Sequence, residues 1–264
     1  MDEQKITKIK NAVRGNFDAS SDRYLAFEEK RGFFRALNAA LLSRMQLPEA
    51  AEILDVGCGT GASSAQLLEA IPQSRVWGLD CSPGMLEAAR SRVGESDRLA
   101  FVEGDAARLS EYFTFPFDAV IYSASVFLIP DYRESLKQAA DLLKEGGQVG
   151  LTFMDGLYDW DGNNLFQRAD EVAREGVSLK KPVKMAELQM FFRGAFPVHE
   201  SWTEDFMLPE DVLKEFFSIP AMSAGLFPGI EYSERVRKVD ALFRHMPIGE
   251  ILFRWMMMRG QKSR

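Results

Sequence analysis

The run Asp55-Val56-Gly57-Cys58-Gly59-Thr60-Gly61 carries the strongest chemical signal in the sequence. It follows an apolar segment, Ile53 to Val56, and precedes a helical pattern from Ser63 to Ile71. Glycines between a strand and a helix permit a tight turn and let a ligand approach the backbone closely. Gly57, Gly59 and Ala62 also satisfy G-x-G-x-x-G/A, so the turn alone leaves a nicotinamide-dependent oxidoreductase and other adenosine-binding enzymes both open. Asp80 closes the next apolar segment, Val76 to Asp80, where a carboxylate can accept hydrogen bonds from two ribose hydroxyls. Asp55 weighs against a dinucleotide, because a carboxylate in the turn repels a phosphate and attracts an ammonium group.

Further runs follow in order: Asp80-Cys81-Ser82-Pro83-Gly84-Met85-Leu86, Glu103-Gly104-Asp105-Ala106, Phe117-Asp118-Ala119-Val120 and Leu143-Lys144-Glu145-Gly146-Gly147. With these motifs the chain resembles the class I S-adenosylmethionine-dependent methyltransferases. The resemblance is to their broad bacterial small-molecule branch, which includes ubiquinone/menaquinone and biotin-pathway enzymes. It covers about residues 50–155 and continues more weakly through Phe192-Arg193-Gly194-Ala195-Phe196 and the segment 251–259. It implies S-adenosyl-L-methionine as the cofactor. The implied cofactor residues are Asp55, Gly57, Cys58, Gly59 and Gly61 in the first motif, and Asp80, Cys81 and Met85 in the second. Asp105 would meet the adenine amino group beside Ala106, Ser123 would lie near the methyl group, and Tyr24 would fold over the cofactor. Backbone N–H groups between Gly57 and Gly61, at a helix N-terminus, would suit the ligand's carboxylate.

Methyl transfer from a sulfonium has a good leaving group, so positioning of the nucleophile can supply much of the catalysis without a dyad or triad. None is found. Tyr122, Ser125 and His199 are the weak candidates for orienting or deprotonating an acceptor; His245 is the only other imidazole. This absence keeps a second reading open, a non-catalytic S-adenosylmethionine-binding regulator or assembly module. An NAD-dependent oxidoreductase is the third.

Short apolar runs alternating with helical patterns from Ala51 to Asp155 must position these residues. They predict a doubly wound, Rossmann-like α/β layer with a parallel sheet covered on both faces. Expected strands are 53–56, 76–80, 99–102, 117–123 and 148–153, with helices over 63–71, 83–92 and 132–144, the last ended by Gly146-Gly147. Five parallel strands come first, then a hairpin-like sixth and seventh pair over 198–207 and 251–258. Upstream, Ile6, Ile9, Val13 and Phe17 suggest an amphipathic helix, and a second helix spans Tyr24 to Met45. Helices are also expected over 165–174, 183–192 and 233–245, the last capped by Ser233. The whole chain reads as one methyltransferase domain of seven strands: an N-terminal helical cap (1–48), a cofactor-binding core (49–155) and a C-terminal part (156–264). Within the last, an insert at about 208–249 would cover the acceptor. Phe191, Phe192, Phe196, Phe206, Phe216, Phe217, Met222 and Phe227 concentrate in that half and point to an acceptor with an apolar or aromatic body.

Composition sets the outer bounds. The 264 residues are 46% hydrophobic with a net charge of −7, which argues against gripping a nucleic-acid backbone and for a small-molecule acceptor. Two cysteines cannot form a disulfide framework or a multi-cysteine zinc cluster, and two histidines leave a His-rich site short of ligands, so no metal is expected. No apolar run is long enough to span a membrane, and the charged N-terminus lacks a secretory h-region, so a cytoplasmic location is expected.

Overall fold

A computed structural model describes residues 2–178 and 182–263. Three helices open the chain: α1 (Glu3–Asp18), α2 (Ser21–Arg31) and α3 (Phe33–Leu42). The alternating core follows as β1 (Glu52–Val56), α4 (Ala62–Ala70), β2 (Arg75–Asp80), α5 (Pro83–Arg92) and β3 (Leu99–Glu103). It continues with α6 (Leu109–Tyr112), β4 (Phe117–Tyr122), α7 (Tyr132–Leu142) and β5 (Leu143–Tyr158). Then come α8 (Leu165–Ala173), α9 (Met185–Ala195) and β6 (Val198–Pro209). The chain closes with α10 (Glu210–Phe217), α11 (Pro220–Leu226), α12 (Tyr232–Phe243) and β7 (Glu250–Gln261).

The strands form one seven-stranded sheet in the order β3-β2-β1-β4-β5-β7-β6, the expected doubly wound arrangement with β6 and β7 as neighbours. β1 pairs in parallel with β2 and β4, β2 with β3, and β4 with β5. Ile53, Leu54, Val56, Ala119, Val120 and Ile121 are completely buried, as both faces of a parallel sheet require. The order places β1 between β2 and β4, with β2 and β4 departing to opposite sides of it. In such sheets a crevice opens at that point beyond the strands' C-terminal ends.

Three expectations are corrected. The helix expected over Tyr24 to Met45 is two helices, because Gly32 adopts φ +62° and terminates α2 through its N–H to Glu28 O at 2.7 Å. α7 stops at Leu142 rather than Lys144, and Gly146-Gly147 lies inside β5, where Phe117 pairs with Leu143 but Ala119 with Gln148. The extra residues form a bulge that the sequence shows only as a helix end. α12 begins with Glu231 in the capping position, so Ser233 sits inside its first turn.

The chain divides into two compact units. The first comprises residues 1–153, 182–202 and 257–264, and the second residues 154–181 and 203–256. The second has its own aromatic core: Phe217 packs with Phe166 at 4.9 Å and Phe253 at 5.9 Å between centroids, and Phe253 with Trp255 at 5.4 Å. Phe216, Phe217 and Phe227 are at most 2% exposed, and so are Phe192 and Phe196 in the first unit. These aromatics are core, which removes them as direct evidence about an acceptor. No helix among the described residues is long and apolar enough to cross a membrane.

Candidate functional site

The first unit contains a cavity of about 540 Å³, in the range of small-molecule sites. It opens where the C-terminal ends of β1, β2, β3 and β4 converge. Gly57 and Gly59, Asp80, Cys81 and Met85, Asp105 and Ala106, and Ser123 to Ser125 all line it, and α1 adds Lys10, Val13, Arg14 and Phe17.

The glycine loop is built from left-handed residues: Gly57, Gly59 and Gly61 have φ +76°, +54° and +77°. A Cβ on Gly57 would lie 2.5 Å from Ser125 Cβ, whereas a Cβ on Gly59 would meet nothing within 4 Å. Gly57 is therefore needed for close packing, and Gly59 leaves room at the cavity wall. The loop's amides are committed to its own fold. Gly57 and Cys58 both donate to Leu79 O at 2.7 and 3.1 Å, Gly61 donates to Cys58 O at 3.0 Å, and Gly59 donates to Asp80 Oδ2 at 2.9 Å. These four N–H groups already have acceptors, which corrects the expectation that Gly57, Cys58, Gly59 and Gly61 offer theirs to a ligand carboxylate.

Asp80 joins the glycine loop to the start of α5, since its Oδ1 accepts from Ser82 N at 2.9 Å. Burial pushes its carboxyl above the usual range, although the amides of Ser82, Gly59 and Cys81 favour the charged form. With about four lone-pair directions between its two oxygens, the carboxylate keeps room for a ligand hydroxyl. Asp105 caps the turn 106–108 by accepting from Ala107 N at 2.9 Å. Its other oxygen meets Lys10 Nζ at 2.7 Å, and Lys10 also reaches Asp131 at 2.6 Å. Burial opposes the charge on Lys10, but these two carboxylates hold its ammonium above the usual range. Arg14 pairs with Glu103 at 2.9 Å, and Asp18 accepts from Ser82 Oγ at 2.7 Å and Gly84 N at 3.1 Å. α1 has no fully buried residue, so these polar ties hold it beside the cavity.

Several expected site residues stand elsewhere. Asp55 is fully buried in β1 and does not line the cavity. Its Oδ2 accepts from Ser63 Oγ at 2.5 Å and Ser64 Oγ at 2.7 Å, its Oδ1 has no hydrogen-bond partner, and burial raises its pKa to about 6. It fastens the loop to α4. Gly61 and Cys58 also lie behind the cavity, Gly61 against Phe101 and Ala89, and Cys58 against Gly78. Burial raises the Cys58 thiol well above its usual value and Cys81 to about 12, helped in both by the charge of Asp80, so neither is a ready nucleophile. Tyr122 is fully buried, hydrogen-bonded to Ser135 Oγ at 2.8 Å, and plays no part in the cavity. His199 is exposed on β6, its Nδ1 2.9 Å from Phe196 O, and is not in the cavity either. Ser125 does line it, but its hydroxyl donates to Val56 O at 2.6 Å. Tyr24 also lines it, stacked on Phe34 at 4.7 Å between centroids.

Sequence reasoning missed Lys10 and Arg14. With Val13 and Phe17 they occupy one face of α1 at three- and four-residue spacing, but only the apolar members of that face draw attention.

Residues 53–147 match a family described as a methyltransferase domain. A trans-aconitate 2-methyltransferase of Enterobacter sp. (strain 638) is 35% identical over 119 residues, 45% of either chain. The chain spans about half the length of the curated trans-aconitate methyltransferases it matches. The YcgJ protein of Bacillus subtilis superposes with a TM-score of 0.60 at 14% identity, covering 87% of this chain and 99% of that one. A Haemonchus contortus phosphoethanolamine N-methyltransferase, solved with S-adenosylhomocysteine, gives 0.55 at 21% identity over 86% of this chain and 52% of its own. The ordered motifs, the sheet order and the family match agree: residues 53–147 are a methyltransferase domain on a sheet of class I order.

Proposed function

We propose that the protein transfers a methyl group from S-adenosyl-L-methionine to oxygen, carbon or nitrogen of a small organic acceptor, by in-line displacement. The observation that carries this reading is the polarity of the cavity. Its glycine loop keeps the amides of Gly57, Gly59 and Gly61 for itself, and of the three carboxylates on its wall Glu103 and Asp105 are paired with Arg14 and Lys10, which leaves Asp80, held by backbone amides alone, as the uncompensated charge. Such a wall suits a cationic ligand with a neutral nucleoside and disfavours the pyrophosphate of a nicotinamide dinucleotide.

When bound, S-adenosylmethionine supplies a methyl group on a good leaving group. On this reading Asp80 accepts from the ribose and Asp105 from the adenine amine, while Met85 and Ala106 pack on the ring. Ser123 to Ser125, with Leu128, Ile129 and Pro130, form the remaining wall, and their mainly apolar character favours an acceptor with an apolar body. The catalytic contribution of the chain is then orientation and exclusion of water rather than proton transfer. The reaction is cytoplasmic.

Incubation with methyl-labelled S-adenosylmethionine and a panel of small acids (trans-aconitate included), phenols and amines tests the proposal. Label on at least one acceptor is expected. No transfer to any, with the cofactor bound, would leave the non-catalytic binding module as the better account.

A further inference from the structure

Ala124 has φ +54°, one of two non-glycine residues with positive φ among the described residues. This left-handed conformation is sterically disfavoured for an L-residue with a Cβ. Ala124 is also in the cavity wall, between Ser123 and Ser125. Where the chain holds such a conformation, surrounding contacts must over-determine it. Two are present. Ser125 Oγ donates to Val56 O at 2.6 Å, and its Cβ fills the space a side chain on Gly57 would take. On the other side, Ala124 N–H donates to Thr152 Oγ1 at 2.7 Å. Thr152 lies on β5, is completely buried and does not itself line the cavity. Tyr122 pairs with Leu151, so the register brings Thr152 opposite the first residues beyond β4.

We infer that Thr152 is a positioning residue for the binding cavity: its hydroxyl holds Ala124 in the left-handed conformation and thereby sets the wall of Ser123 to Ser125. This rests on reading the cavity as the S-adenosylmethionine site. Without the hydroxyl, the Ala124 amide loses its acceptor and the turn relaxes toward ordinary φ, which changes the wall against which the ligand's sulfur end lies. The hydroxyl acts at a distance from the ligand, through the backbone.

The test is titration calorimetry with S-adenosylhomocysteine on the full chain, for wild type, Thr152→Val, Thr152→Ser, and Thr152→Val combined with Ala124→Gly. Thr152→Val keeps the volume and removes the acceptor, and is expected to weaken binding about tenfold. Thr152→Ser is expected to stay within about twofold, because the acceptor is retained. The combined variant is expected to recover most of the loss, since glycine adopts positive φ without strain. That recovery separates positioning from a merely structural role, which adding a glycine would not repair. Affinity of Thr152→Val within twofold of wild type, or a combined variant no better than Thr152→Val, would overturn the inference. Should Thr152→Val fold poorly, Thr152→Ala with and without Ala124→Gly gives the same comparison. Absence of binding by the wild type itself would instead defeat the proposed function, and this inference with it.

Discussion

Two turns at the C-terminal ends of neighbouring strands form much of the cavity, and they reach the same backbone region by different means. After β1, positive φ is assigned to Gly57, Gly59 and Gly61, which adopt it at little steric cost. After β4, it falls on Ala124, held there by Thr152 Oγ1 and by the neighbouring Ser125–Val56 bond. The first turn is specified locally by its residue types. The second is imposed by tertiary contacts, one from β5 and one from β1. The two also touch, through Gly57 and Ser125.

The comparison is broken most severely at Gly57. Gly57→Ala places a Cβ in a left-handed residue and within 2.5 Å of Ser125 Cβ. The two effects together are expected to destabilise the fold by roughly 3 kcal/mol. Urea unfolding reads the stability, and S-adenosylhomocysteine titration is expected to show at least a tenfold loss of affinity. A variant as stable as wild type would refute the packing argument.

Asp55, which fastens the glycine loop to α4, gives that turn a pH dependence that the β4 turn lacks. Its pKa of about 6 lies above the ordinary carboxyl value, so the unfolded chain ionises first as pH rises. The stability contributed by protonated Asp55 is therefore complete below about pH 4 and lost as pH rises through 6, by about 3 kcal/mol in all. Asp55→Asn keeps an acceptor for Ser63 and Ser64 and removes the titration. The stability difference between wild type and this variant, from urea midpoints at pH 4 to 7, is expected to move by that order in favour of the variant. A constant difference would show that Asp55 is not raised.

Smaller effects sharpen the contrast. Lys10→Met removes two half-exposed ion pairs that tie α1 to Asp105 and Asp131. Each such pair is worth about 0.2–1 kcal/mol, so affinity is expected to fall about fivefold, and added salt should reproduce part of the loss in wild type. Ala124→Gly is expected to change stability least, within about 0.5 kcal/mol by urea unfolding. Relief of the left-handed strain offsets the extra freedom glycine gives the unfolded chain. A large loss there would mean that Ala124 contributes packing rather than strain.

The same contrast explains what could be read from the sequence. The glycine turn, Asp80, Asp105 and the strand order are written in local patterns: glycines between a strand and a helix, acidic residues ending apolar runs, alternation of two periodicities. The break at Gly32 escaped because a single glycine inside a helical pattern is tolerated and need not end it, and the bulge in β5 because Gly146-Gly147 after such a pattern reads as a stop whichever side of it the next element begins. Tyr122 and Asp55 illustrate a second limit. Motif position brought both to attention, but which face of the strand a side chain takes depends on its neighbours, and both turned into the interior. Thr152 and Lys10 carry no local signal, since their roles come from residues 28 and 95 positions away. The aromatic residues of the C-terminal half were legible as apolar, and only packing shows Phe216, Phe217 and Phe227 to be core.

The central claim is that the cavity of the first unit binds a cationic nucleoside cofactor. Side-by-side calorimetric titration of the wild-type chain with S-adenosylmethionine, S-adenosylhomocysteine and NADH tests it most directly. Saturable binding of both sulfur ligands at one site per chain, with no heat from NADH, is the result this account predicts. Binding of NADH with no response to either sulfur ligand at millimolar concentration would contradict it.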